Sequence, residues 1–157
     1  MEYVQGKTIS NILFSVEKQS HEGLRLIFQF EKDYLFFDSV KFILGTDGNI
    51  FKKYNWKRIT WYDLTEEPSI TRIREDELTS YFLEFSNGDI FFISQEIDGM
   101  EFWYQDFKIV SKDDQERYNE VLTYMNEDFV EDGVVTLESL SSTPGWLSRI
   151  MQNRNAF

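Results

Sequence analysis

Apolar residues in this chain follow two rhythms. Leu24, Leu26, Phe28 and Phe30 recur at every second position, which is the period of a strand with one buried face. Elsewhere the apolar residues form unbroken blocks, as from Tyr34 to Phe37 and from Ile90 to Ile93. β-Branched and aromatic side chains are frequent from Thr8 to Val16, from Leu24 to Phe30 and from Tyr34 to Leu44, so each of these segments is predicted to be a strand. A further strand is predicted around Arg58 to Leu64, ended by a loop at Glu66-Glu67-Pro68-Ser69. Ile70 to Leu78 fits either a strand running into a turn or a short helix.

Turn dipeptides divide these runs. Asp47-Gly48, Asn87-Gly88 and Asp98-Gly99 each lie between apolar or aromatic segments, and such pairs supply the positive φ that tight hairpins require. Tyr81 to Phe85, the turn Asn87-Gly88 and Ile90 to Ile93 form the clearest hairpin. Asp98-Gly99 then returns the chain into Met100 to Tyr104, giving a three-stranded meander.

One helix stands out. Ser111 is placed to cap it, Asp113 and Asp114 suit its first turn, and Tyr118, Val121, Leu122, Met125 and Phe129 recur at spacings of three and four. After Gly133, Val134 to Leu140 reads as a last strand. Thr143-Pro144 opens a short helix containing Trp146, Leu147 and Ile150. The expected architecture is α+β and mainly antiparallel β: a curved sheet or partly closed barrel with one long and one short C-terminal helix. It forms a single domain over 1–157, with 153–157 as a frayed tail.

Composition adds limits. Cysteine is absent, which removes disulfides, zinc–thiolate sites and a thiol nucleophile. Met1 to Lys7 lacks the basic and then apolar pattern of an export signal. The longest apolar runs fall far short of the roughly 20 residues that span a bilayer. A cytoplasmic protein with no membrane segment is therefore expected.

Charge is unevenly distributed. The chain carries 28 acidic and 16 basic residues, a net charge of −12. Residues 1–74 are near neutral, with 10 acids and 11 bases, whereas residues 75–138 hold 18 acids and 3 bases. From Glu75 to Asp106 there are nine carboxylates and no lysine or arginine. Such a field repels nucleic acid and anionic lipid and attracts basic proteins.

Candidate chemistry is sparse. His21, the one histidine, lies in the polar stretch Lys18 to Gly23 and reads as an exposed loop residue; Ser20 beside it points the other way in an extended chain. The glycines are dispersed and none opens a helix after a strand in a phosphate-binding pattern. Glu127-Asp128-Phe129-Val130-Glu131-Asp132 lacks the oxygen spacing of a calcium loop. Paired carboxylates for glycoside hydrolysis cannot be picked out from order alone. The basic, aromatic stretch Lys52 to Arg58 offers stacking and charge for a single nucleic-acid strand, but the overall field opposes it and an edge strand guarded by lysines accounts for it. Trp61-Tyr62-Asp63 and Phe102 to Asp106 carry the residue types that anchor protein interfaces. No enzyme activity, metal or cofactor is implied.

The aromatic, cysteine-free, acidic β composition and the phrase Tyr81-Phe82-Leu83-Glu84-Phe85-Ser86-Asn87-Gly88-Asp89-Ile90 resemble bacterial immunity proteins of polymorphic or contact-dependent toxin systems. The resemblance implies a cytoplasmic inhibitor that occludes a basic toxin domain, often a nuclease. Acidic inhibitors are steered onto basic partners at enhanced rates. From the charge layout, the partner-binding candidates are Glu96, Asp98, Glu101, Trp103 and Asp106, with Glu127, Asp128, Glu131 and Asp132 as a second edge. The alternatives are a lipocalin-like binder of a small apolar ligand in the mouth of the sheet, and another non-catalytic interaction protein.

Overall fold

A computed structural model of the chain describes residues 4–16, 21–97, 103–133 and 135–136. It contains two sheets of six strands. The strands are β1 (Asn11–Val16), β2 (His21–Glu22), β3 (Leu24–Gln29), β4 (Tyr34–Phe37), β5 (Phe42–Gly45), β6 (Lys57–Arg58), β7 (Ile70–Glu75), β8 (Tyr81–Phe85), β9 (Ile90–Ile97), β10 (Trp103–Val110), β11 (Glu131–Asp132) and β12 (Val135–Thr136). The first sheet runs β12-β5-β4-β3-β1-β6 and the second β11-β7-β8-β9-β10-β2. Pairing is antiparallel except for β12 on β5 and β2 on β10. At one edge of each sheet, β6 and β11 are two-residue strands, a length that offers little template for edge-to-edge association.

The sheets pack face to face. Leu24, Leu26, Phe28, Leu35, Phe37 and Phe42 from the first meet Ile73, Leu83, Phe85, Phe91 and Ile93 from the second in one buried cluster. The outer faces are covered too. A one-turn helix, α1 (Ile50–Lys53), and the segment after it lay Ile50, Phe51, Tyr54 and Trp56 over Ile27, Tyr34, Phe36 and Ile43. On the other side α2 (Gln115–Met125) and the residues after it lay Tyr118, Val121, Leu122, Met125, Phe129 and Val130 over Phe82, Ile90 and Phe92. Both faces of the central strands are therefore dry, and this explains why Tyr34–Phe37 and Ile90 to Ile93 are continuous apolar blocks.

This arrangement corrects several expectations. Two stacked sheets replace the curved sheet or partly closed barrel. Tyr34 to Leu44 is two strands, because the Asp38 carboxylate accepts the backbone N–H groups of Val40 at 2.9 Å and Lys41 at 2.8 Å and turns the chain. The strand expected over Arg58 to Leu64 is only Lys57–Arg58. Ile70 to Leu78 resolves into the strand β7 followed by a turn. The expectation of one long and one short helix does not fit: the helix after Ser111 has 11 residues and starts at Gln115, and the one-turn α1 lies earlier in the chain; the Ser111 hydroxyl accepts the N–H of Asp113 in a preceding turn, so Ser111 is not the cap of α2. Phe129 lies past the helix yet joins the same cluster. His21 lies in strand β2, paired with Trp103, and not in a loop. The third meander strand extends to Val110. The short helix after Thr143, most of the strand expected at Val134 to Leu140, and the 153–157 tail lie outside the described residues. Among the described residues, no helix is long and apolar enough to cross a membrane.

Between β2 and β3 the chain passes from one sheet to the other, and a buried amide fixes the crossing. Gln105 Oε1 accepts from Leu24 N at 2.9 Å, its Nε2 donates to the Ser39 carbonyl at 2.9 Å, and the Ser39 hydroxyl donates to the Leu24 carbonyl at 2.7 Å. A buried side chain that both donates and accepts in this way ties both sheets to the β4–β5 turn. That turn forms part of the candidate site.

Candidate functional site

Two turns meet at one end of the sandwich, and both are built alike. In the β4–β5 turn Asp38 supplies the side-chain acceptor, Ser39 adopts φ +85, and Val40 is 71% exposed. In the β7–β8 turn the Asp76 carboxylate accepts from Leu78 N at 2.9 Å and Ser80 N at 2.8 Å, Thr79 adopts φ +61, and Leu78 is 66% exposed. A β-branched residue in the left-handed region costs on the order of 1–3 kcal/mol and persists only where its surroundings enforce it. Here the Asp76 side chain and the bond from Thr79 N to the Asp76 carbonyl enforce it. The Tyr81 hydroxyl donates to the Val40 carbonyl at 3.0 Å and joins the two turns.

Between the turns lies a recess of about 160 Å³ lined by Ser39, Val40, Thr79, Tyr81 and Gln95. Thr79 is also part of the wall of a neighbouring cleft of about 290 Å³, whose other walls are Glu75, Asp76, Glu77, Asp128, Phe129 and Glu131. Five of those seven residues carry carboxylates, and neither lining includes a lysine or arginine. In the β11–β7 pairing Glu131 stands directly opposite Glu75, an arrangement that like charges disfavour.

The carboxylates are not equivalent. Asp76 is buried and committed: besides its two backbone donors it accepts from the Tyr124 hydroxyl at 2.5 Å. Burial first, and then donation to Asp76, push the Tyr124 phenol up to about 12. Tyr81 is likewise raised to about 12, by burial and then by the charge of Glu75. Asp132 accepts from Arg72 Nε at 2.7 Å, and this bond holds its carboxyl below the usual range. The charge facing outward comes from the exposed Glu77, Asp128 and Glu131, while Glu75 is half-buried and interacts with the Tyr81 hydroxyl.

Of the candidates read from the sequence, the structure brings Asp128 and Glu131 together in this cleft. Asp132 is spent on Arg72. Glu127 is exposed, follows α2 and is not part of the cleft wall. Asp106 is on β10, separated from β7 by β8 and β9, and accepts from the N–H of Phe107 at 2.7 Å. Glu96 and Trp103 lie on the described backbone of β9 and β10, but their side chains are outside the described residues, as are Asp98 and Glu101.

Reading the sequence missed Glu75, Glu77, Val40, Leu78 and Thr79. The available signal was an Asp followed within four residues by small polar residues around one isolated aliphatic, as in Asp38-Ser39-Val40-Lys41 and Asp76-Glu77-Leu78-Thr79-Ser80.

The basic, aromatic stretch does other work. Trp56 Nε1 donates to the Ile50 carbonyl at 2.8 Å, and the Trp56 and Tyr54 rings lie 6.2 and 6.4 Å from Phe36, against the first sheet. Lys57–Arg58 forms an edge strand of that sheet. Among the described residues the exposed tryptophan is Trp61, at 64%. It ends a column of near-parallel rings that begins at buried Phe91, with Phe91 and Phe107 5.3 Å apart and Phe107 and Trp61 6.2 Å apart. Among the described residues, no group of three or more histidine, aspartate or glutamate side chains is arranged to hold a metal ion. No protein-family model, curated protein or solved structure matches the chain.

Proposed function

We propose that this protein is a non-catalytic binding module that captures a basic protein on the 75–79 and 128–131 end of its sandwich, as an immunity protein captures a toxin domain. The observation that carries this reading is the acid-lined cleft in which Glu131 opposes Glu75. Folding alone gives no reason to pair like charges across a strand, whereas a cationic partner neutralises both. A concentrated field of one sign also speeds encounter with an oppositely charged surface. The interior supports protein capture over a lipocalin-like cavity, since Phe28, Phe37, Phe42 and Phe91 fill the space between the sheets.

The test is growth rescue. Co-expression with a basic toxin domain encoded beside this gene should restore growth, and the purified pair should associate more slowly as salt rises. Glu75→Lys with Glu131→Lys should abolish rescue, while Lys52→Glu with Lys53→Glu should preserve it. Rescue that survives the first pair and fails with the second would place the interface elsewhere. Binding that is indifferent to salt would remove the electrostatic basis of the reading.

A further inference from the structure

We infer that the recess between the two turns is the anchor point of this interface, taking one leucine-sized side chain of the basic partner while the flanking lysines or arginines lie on Glu75, Glu77, Asp128 and Glu131. The inference rests on the basic-partner reading above and adds a specific docking element to it. Among the described residues three large hydrophobic side chains are strongly exposed, and two of them, Val40 and Leu78, are at this end. They belong to turns 38 residues apart in sequence that the fold brings to one place, joined by the Tyr81 hydroxyl. The recess, at about 160 Å³, is the size of a cavity of about 150 Å³ that holds one benzene-sized group. Val40, Thr79 and Tyr81 line it together with the polar Ser39 and Gln95.

Charge complementarity identifies the occupant. The recess shares Thr79 with the carboxylate cleft, so a side chain seated in it has its neighbours beside the exposed Glu77, Asp128 and Glu131 and the half-buried Glu75. A leucine, isoleucine or phenylalanine between basic residues fits both halves at once, and a neutral or acidic segment fits only one. Both turns are already fixed by Asp38, Asp76 and the Ser39–Leu24 bond. Docking therefore requires little ordering of the recess, and interfaces concentrate their affinity in such preformed pockets.

The experiment uses fluorescein-labelled peptides Lys-Lys-Leu-Arg-Lys and Lys-Lys-Ser-Arg-Lys, titrated by anisotropy against the full chain at low salt. The leucine peptide should bind about tenfold more tightly than the serine peptide. Val40→Ser with Leu78→Ser should erase that preference and leave weak, salt-sensitive binding of both. Glu131→Lys should weaken both peptides and retain the preference. Val40 and Leu78 are exposed, so their variants should keep the wild-type urea midpoint, which verifies folding. Equal, salt-sensitive binding of the two peptides to the native chain would overturn the anchor while leaving the basic-partner reading in place. Failure of both peptides to bind would remove that reading and the anchor with it.

Discussion

Glu131→Lys should make the protein more stable and a poorer binder in the same step. In the native register Glu131 faces Glu75 across an edge pairing. Direct cross-strand charge pairs contribute roughly 0.2–1 kcal/mol in either direction. Reversal removes a repulsion and installs an attraction, and because Glu131 is exposed solvent screening keeps the sum to about 1 kcal/mol or less. For a chain of this size that corresponds to a rise of about 2–4 °C in Tm at most. Urea titration at low salt should show the midpoint increase with an unchanged slope, and the gain should shrink at high salt. Association with a basic partner should slow over the same salt range. If Glu131→Lys and Glu131→Gln both leave low-salt stability unchanged, the two carboxylates do not sense one another and the cleft carries no concentrated field.

Three further outcomes follow from other parts of the fold. Asp89→Ala removes the acceptor for the Tyr62 hydroxyl at 2.6 Å and for Lys112 N at 2.9 Å; leaving these donors unmatched should cost about 2–4 kcal/mol, read as a lower urea midpoint. Gly45→Ala places a Cβ 2.6 Å from the Tyr34 ring, so the ring must move and its hydroxyl bond to the Asp47 carbonyl is lost. A destabilisation of about 1–3 kcal/mol with altered near-ultraviolet dichroism is expected. Arg72 lowers the folded-state pKa of Asp132, so this pair's contribution is complete above the ordinary carboxylate value of about 4 and disappears as pH falls through the depressed folded value. Asp132→Asn should therefore slightly flatten the acid limb of the stability profile, the effect being small because both side chains are about half exposed or more.

The Tyr81–Ile93 hairpin was legible because Asn87-Gly88 follows turn chemistry: Gly88 takes φ +97 and Asn87 accepts from Asp89 N. The β4–β5 turn was not. Its left-handed position holds a serine where rules expect glycine, and it works because Leu24 and Gln105, distant in sequence, hold that serine. Tyr34–Phe37 could be read as apolar but not as a strand covered on both sides, since the helix that covers it is a single turn and shows no period. The excess of acid after Glu75 was visible in composition. Which carboxylates remain available was not, because Asp76 and Asp89 look like any others until the Tyr124 and Tyr62 hydroxyls are seen to reach them. That Val40 and Thr79 share a recess depends on the pairing order of the sheets.

Burial on both faces changes what sets the alignment of the strands. In a sheet with one wet face, a slip by one residue turns its apolar side to water and is rejected on that ground. A slip in Tyr34–Phe37 exchanges one apolar side chain for another on each face, so hydrophobicity alone distinguishes the two alignments poorly. Discrimination falls to small exceptions: Gly45, the only residue in β5 slim enough to lie under the Tyr34 ring, and the carboxylates of Asp38 and Asp76 that fix where each strand ends. Losing one of these leaves the driving force for collapse intact while erasing the address. The expected product is a compact, β-rich chain with its strands misaligned rather than an unfolded one.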